Sequence, residues 1–266
     1  MVDLLITRIG QTCRNDSHAI PDRIISVCHA LCPRLIPVLI CCWRMGRYWS
    51  STNRAAPPGI DSLEARIKAF LKERDNKPGK VYLGVPHRLD RPSTGAMVFA
   101  KHSRAARRLA EQFEGRMVQK TYLAVVAGEV IPEQGTWIDH LRKIPDVAQA
   151  EIVAADHPEG RQAVLHYEVV GRLSSPQAKP GATVLKIKLE TGRMHQVRVQ
   201  SSSRGHPLWG DTQYGSDVPF GPQTDDPRQR WIALHAWQLA FRHPMTHQEI
   251  SIEAPRPEPW SSIEVS

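Results

Sequence analysis

Beyond Cys42 the 266-residue sequence contains no cysteine, and it has no glutamate before Glu64 and no lysine before Lys68. The five cysteines, Cys13, Cys28, Cys32, Cys41 and Cys42, are odd in number. Their spacings give no CxxC pair with matching histidines, which argues against a zinc site or a disulfide framework. No window reaches the roughly 18 consecutive apolar residues of a membrane span. The nearest approach, Ile24 to Trp43, is interrupted by His29, Pro33, Arg34 and Pro37, and it lacks the order of regions found in a secretory signal. A soluble, cytoplasmic chain is expected. No solenoid repeat is visible.

What is present is positive charge. Thirty-five Lys and Arg against 27 Asp and Glu leave a net charge of +8 and a pI near 9.4, so the surface should attract polyanions. Charge alone does not separate nucleic-acid binding from a solvated basic face. Composition shifts near residue 57. Residues 1–56 read as an atypical segment, either a poorly ordered tail or an incorrectly assigned start, and residues 57–266 as a single catalytic unit.

Asp61 with Glu64 forms a capping box before Leu63, Ile67, Phe70 and Leu71, so residues 61–74 are predicted to be an amphipathic helix. A second helix is expected from a Ser103 cap to Gly115, with Ala106, Leu109 and Phe113 inward and Arg104, Arg107 and Arg108 outward. Strands are predicted at residues 96–100, 122–126, 164–170, 183–190 and 249–253. The stretches 174–181 and 217–230, punctuated by proline and glycine, read as exposed loops. Strands with few helices imply an α+β fold around a mixed, mostly antiparallel sheet with flanking helices.

Three runs carry chemistry. In His87-Arg88-Leu89-Asp90-Arg91-Pro92-Ser93-Thr94-Gly95 a carboxylate sits between two guanidiniums, which favour the ionised form that a nucleophile requires. The residues alone equally describe an ion-paired turn. Lys120-Thr121-Tyr122 opens a strand, and a tyrosine there is either packing or a base-stacking ring with a polar tip. In the run from Leu189 to Gly215 a strand ends at Thr191-Gly192, and a short helix is predicted from near Arg193, which would lie by a helix N-terminus suited to an anion. Asp211 reads as a loop-fixing carboxylate. His87, His195 and His206 lack ligand spacing and read as hydrogen-bonded structural residues.

Together these runs resemble the RluA family of pseudouridine synthases, through Arg88-Leu89-Asp90, Lys120 with Tyr122, Thr191 to Arg198, Gly205 to Gly215, and the stretch from Leu234 to Pro244. The resemblance covers about residues 57–260. It implies the catalytic fold of that family and an RNA uridine-to-pseudouridine isomerase acting on rRNA or tRNA, with Asp90 attacking the target uridine. It further implies that Arg193 pairs with Asp90, that Tyr122 lies against the uracil and assists proton removal, and that Arg88, Arg91, His195 and Arg198 contact the RNA, Arg88 filling the space the flipped base leaves. An isomerisation needs neither cofactor nor metal, and the lack of a Gly-rich dinucleotide or P-loop motif agrees. A monomer with RNA as its partner and no membrane attachment is expected. Two departures stand out. The usual Thr-Ser after the aspartate is Ser93-Thr94 here, and the opening strand's Asn-Lys-Pro-x-Gly-like run is replaced by Asn53 to Gly59, so a bare sheet edge is expected. Competing readings are an RNA-binding relative without turnover and a hydrolase that uses Asp90 with Asp211.

Overall fold

The structure, a computed structural model, describes residues 25–27, 38–43, 63–175, 178–225, 229–261 and 263. Its strands are β1 (Ile25–Val27), β2 (Val38–Trp43), β3 (Thr94–Ala100), β4 (Gln119–Ala127), β5 (Gln134–Lys143), β6 (Ala150–Val153), β7 (Arg161–Ser175), β8 (Ala178–Leu189), β9 (Leu234–Arg242) and β10 (Glu249–Glu253). Its helices are α1 (Leu63–Arg74), α2 (Ser103–Glu114), α3 (Gln196–Ser202) and α4 (Glu258–Ser261). The strands form one sheet in the order β1-β2-β3-β9-β4-β8-β7-β5-β6, with β10 also on β9. β3 and β9 run parallel, while the other ladders are antiparallel. This is the mixed, mostly antiparallel α+β sheet that the sequence implied.

β3 reads Thr-Gly-Ala-Met-Val-Phe-Ala and is buried at every position, because both of its faces are covered. Met97 and Phe99 pack with Leu63, Ile67 and Leu71 of α1. Ala96, Val98 and Ala100 pack with Ala105 and Leu109 of α2 on the opposite face. Each fully buried Leu, Ile or Phe here contributes about 1.5–3 kcal/mol relative to exposure. β4 is central for the same reason, with Leu123 and Val125 facing the α1 side and Ala124 and Val126 facing a cluster that includes Val197 of α3.

Several expectations shift. Asp61 lies outside the described residues, so its capping role is not seen. α2 is capped by His102, whose Nδ1 accepts from the Ala105 N–H at 3.2 Å, and Ser103 is the first helical residue. Ala105, Leu109 and Gln112 form its buried face, while Ala106 and Phe113 are half-buried. Arg104 and Arg107 point outward, but Arg108 is half-buried and donates to the Pro244 carbonyl at 2.8 Å. Of the stretch 174–181, residues 174–175 end β7 and residues 178–181 begin β8, with Ser175 opposite Ala178; residues 176–177 lie outside the described residues. Pro180 is tolerated there because the β4–β8 ladder reaches only to Ala182, beyond which β4 asks nothing of a missing N–H. The edge of β3 expected to be bare carries β2, from Val38 opposite Ala100 to Trp43 opposite Gly95. Residues 1–24, 28–37 and 44–62 lie outside the described residues. Among the described residues no helix is long and apolar enough to cross a membrane.

The parallel join of β3 to β9 depends on Gly95. Its φ is +128°, and a Cβ there would lie 2.5 Å from the Ala236 nitrogen and closer still to the Ala236 carbonyl oxygen. Gly95→Ala should therefore cost upwards of about 3 kcal/mol, the upper end for single substitutions. A urea midpoint much below that of Gly79→Ala, whose added methyl meets nothing within 4 Å, is the expected result.

Candidate active site

Asp90 stands on a turn whose backbone is tied down on several sides. The Ser93 N–H and hydroxyl both donate to the Asp90 carbonyl, at 3.0 and 2.6 Å. Thr94 Oγ1 lies 2.7 Å from His235 Nδ1, and His235 Nε2 lies 3.3 Å from the Ala254 carbonyl. Burial pushes His235 down to about 4, so the neutral ring donates to Ala254 and accepts the Thr94 hydroxyl. Both hydroxyls of the reversed Ser93-Thr94 pair thus have work in the turn. Ahead of the aspartate, His87 Nε2 accepts the Val98 N–H at 3.0 Å and its ring stacks on Phe113. Burial, with Lys120 nearby, pushes His87 down to about 3, leaving a neutral anchor.

The Asp90 carboxylate opens into a cavity of about 650 Å³. Its walls come from the turn (Arg88, Leu89), from the start of β4 (Lys120, Tyr122), from the β8–α3 link (Thr191, Arg193, His195) and from the end of α2 (Phe113). Arg198 stands beside the carboxylate with its terminal nitrogen 3.7 Å from Oδ2, and His195 with Nε2 3.9 Å from Oδ1. Arg193 does not pair with Asp90 as expected. It lines the cavity but donates from Nε to the Gln162 carbonyl at 3.0 Å. The register explains the exchange. Residues 191–195 are not helical, because the Gln196 carboxamide closes them into a link by accepting from Arg193 N and Thr191 Oγ1 and donating to Val164 O. His195 takes a left-handed φ of 51° and α3 begins only at Gln196, which turns Arg198 inward.

Arg198 is itself held from behind. Its Nε and one terminal nitrogen donate to the two oxygens of Asp211 at 2.6 and 2.7 Å, and that same terminal nitrogen donates to Gln213 Oε1 at 2.8 Å. Its guanidinium carbon lies 4.8 Å from the centre of the Tyr214 ring. The Tyr214 hydroxyl is 2.8 Å from His195 Nδ1. The Arg198 and Asp211 side chains are only 4% and 1% exposed, against 23% for Asp90, so the ion pair is sealed while the acid faces the cavity. Burial raises the Asp90 pKa, and Arg198 and Arg88 offset this only in part. Burial opposes the charge on Arg198 as well, but Asp211 and Asp90 outweigh it and its pKa is raised. His195 is pushed down to about 3, first by burial and then by Arg198. Sequence reasoning placed Asp211 as a loop-fixing residue and gave no role to Gln213 or Tyr214. Their shared motif marked them, but which side chain they hold is a tertiary fact.

Tyr122 lines the cavity from β4. Burial, and then the charge of Asp90, raise its pKa, so it stays a phenol at neutral pH and is unsuited to act as a phenolate base. If the chain has the isomerase activity that the resemblance implies, Tyr122→Phe should keep it within about tenfold of wild type, the scale left when only a hydrogen bond is lost, while Tyr122→Ala should lose far more. Initial rates of product formation at saturating RNA make the comparison. Arg88 is exposed at the rim of the cavity. Arg91 is half-buried and is not among the lining residues. His206 Nδ1 is 2.9 Å from the Ala127 carbonyl, away from the cavity lining, so it shares no site with His87 and His195.

Residues 51–203, more than half of the chain, match the model of the RNA pseudouridylate synthase family. The tRNA pseudouridine synthase C of Pasteurella multocida is 36% identical over 182 residues, covering 66% of this chain and 74% of that protein. The chain belongs to the RluA family of RNA pseudouridylate synthases. Ribosomal large subunit pseudouridine synthase D of Nitrosomonas europaea is 37% identical over 185 residues, covering 68% of this chain but only 50% of that protein. The chain thus spans about half the length of some curated relatives. The human RNA pseudouridylate synthase domain containing 4 protein shares the fold, with a TM-score of 0.61 at 22% identity, covering 83% of this chain and 86% of its own.

Proposed function

We propose that this member of the family isomerises uridine to pseudouridine in RNA, with Asp90 as the nucleophile. The observation that carries the reading is the placement of the Asp90 carboxylate, open to a cavity of nucleoside size and backed by a sealed, permanently charged Arg198. In the proposed reaction Asp90 attacks the nucleoside and the N1–C1′ bond breaks. The uracil rotates and C5 bonds to C1′. C5 gives up its proton, N1 gains one, and Asp90 is released unchanged. Arg198 offsets the negative charge at Asp90 before attack and after release. Tyr122 forms an aromatic wall for the uracil.

A uridine reaches this floor only out of its stack, which costs a few kcal/mol and least in a loop. Arg88, at the rim, is placed to occupy the vacated space or take a flanking phosphate. His195 and Arg193, lining the same cavity, are assigned to contacts with the nucleotide and its phosphates. Arg91, outside the lining, is assigned to the RNA backbone beyond it. The relatives are named for large-subunit ribosomal RNA and for tRNA, and the substrate is assigned to these two classes. The hydrolase reading loses its second carboxylate, because Asp211 is enclosed and spends both oxygens on Arg198.

The test is to incubate the protein with rRNA and tRNA transcripts carrying tritium at uridine C5. Tritium release with unchanged RNA mass, and pseudouridine in the digested product, is expected. Free uracil, or no release from any transcript, would overturn the reading. Comparing pseudouridines in total RNA from cells with and without the gene then identifies the target.

A further inference from the structure

We infer that Asp211 is a positioning residue that keeps Arg198 from clasping Asp90, leaving the nucleophile an electrostatic partner without a strong hydrogen bond. This rests on Asp90 being the nucleophile, as proposed above. An arginine beside a carboxylate ordinarily forms a bidentate fork, and such charge-assisted hydrogen bonds tie up the lone pairs that an attacking oxygen needs. Here the fork exists, but it is made with the wrong carboxylate for that fate. Arg198 gives Nε and a terminal nitrogen to Asp211 at 2.6 and 2.7 Å and reaches Asp90 only at 3.7 Å, beyond hydrogen-bond range.

Arg198 cannot switch partners cheaply. Asp211 is buried, so a swing toward Asp90 would strand an uncompensated carboxylate. The loop around Asp211 is rigid as well. Asp211 N donates to Leu208 O, and Asp211 O accepts from the N–H groups of Tyr214 and Ser216. Gly210, at φ +82°, has no room for a Cβ against the Trp231 carbonyl. Tyr214 closes the other side, with its ring against Arg198 and its hydroxyl on His195.

The charge balance follows. Asp211 neutralises most of Arg198, so Asp90 feels a cation whose pull is already shared, which agrees with burial prevailing in its titration. The other groups that face Asp90 are His195 from the β8–α3 link, Arg88 from its own turn, Tyr122 from β4 and Tyr214 from the loop after Asp211. Charged groups farther along the cavity wall are Lys120, Arg193 and Glu190, with Glu114 at the end of α2 and Arg116 just after it. Of these, His195 also feels the Asp211 charge, which holds its pKa up; without that charge it falls further and the ring stays neutral, so His195 adds no new charge beside Asp90 when Asp211 is replaced.

The experiment measures single-turnover tritium release from C5-labelled uridine in RNA against pH, using the full chain. In Asp211→Asn, Arg198 is released to pair with Asp90. The acidic limb should move to lower pH while the plateau rate falls at least about tenfold, as misplaced reacting groups cost, and the half-saturating RNA concentration stays within about threefold. Gln213→Glu adds a second carboxylate to Arg198 at an exposed position, where folding is not at risk. Its limb should move to higher pH. The change of charge alone would move each limb without slowing the plateau, and a loop-stabilising role alone would lower stability without moving a limb; the shift together with the fallen plateau is what a repositioned Arg198 predicts. An unmoved limb in folded Asp211→Asn, or in Gln213→Glu should the first variant not fold, overturns the inference while wild-type turnover leaves the isomerase reading standing. Wild-type protein that releases no tritium at any pH overturns both.

Discussion

Asp90→Asn should abolish tritium release from C5-labelled RNA, by more than about 10⁴-fold, the order lost when a covalent nucleophile is removed. It should do so in a protein at least as stable as wild type. The expectation follows from the direction of the Asp90 titration, which burial raises above the ordinary carboxylate value against the partial opposition of Arg198 and Arg88. A carboxyl whose folded pKa is raised favours the native state while protonated, and that advantage is lost as pH rises through the folded pKa. At neutral pH the ionised Asp90 is therefore a cost to folding, and a neutral amide of the same shape removes it. The difference in melting temperature between Asp90→Asn and wild type should vanish below the unfolded carboxylate pKa and open in favour of the variant as pH rises. An Asp90→Asn protein that melts below wild type at neutral pH would show that the carboxylate is a structural ion-pair member, the reading its immediate neighbours alone allowed.

Arg198→Gln is expected to fail in both respects. It leaves Asp211, 1% exposed, without its partner, and breaking a buried pair from one side costs about 3–5 kcal/mol. It also removes the main counter-charge of Asp90, so its titration moves further up and the acidic limb of activity shifts to higher pH. Loss of an electrostatic partner at a reacting group costs about 10²–10³-fold in rate. Arg193→Gln is the informative contrast. Its Nε bonds only a backbone carbonyl in an exposed setting, so stability should change by less than about 1 kcal/mol and the limb should stay in place. Denaturant titration and pH–rate profiles of the two variants decide which arginine serves the aspartate.

Much of the fold was legible because local and global preferences agree. The spacing of Leu63, Ile67 and Leu71 marks α1 before any contact is known. The alternation of Leu185 and Ile187 with Lys186 and Lys188 marks β8. β5 was not legible. Its strand Gln-Gly-Thr-Trp-Ile-Asp-His-Leu-Arg-Lys buries only Trp137 and Leu141, four residues apart, and shows Ile138 to solvent, so no period of two appears. β9 was read as motif rather than strand because His235 and Gln238 interrupt its apolar pattern. His235 is buried there through partners on β3 and after β10. The 174–181 stretch carries loop-like prolines, yet the β7–β8 ladder runs on to Ser175 opposite Ala178, so its ends are strand.

The site divides in the same way. From sequence alone come the family, the acid at Asp90 and the set of residues to bring together, because motif order and residue chemistry are one-dimensional. Which arginine meets Asp90 was decided only by the tertiary structure. Arg193 and Arg198 are five residues apart, and a helix started at the first would have turned the wrong one inward. The Gln196 carboxamide, bonded to Val164 across the sheet, delays the helix to residue 196, and Asp211 then sets how closely Arg198 can approach. Both controls act between positions far apart in the chain, where residue type is visible and distance is not.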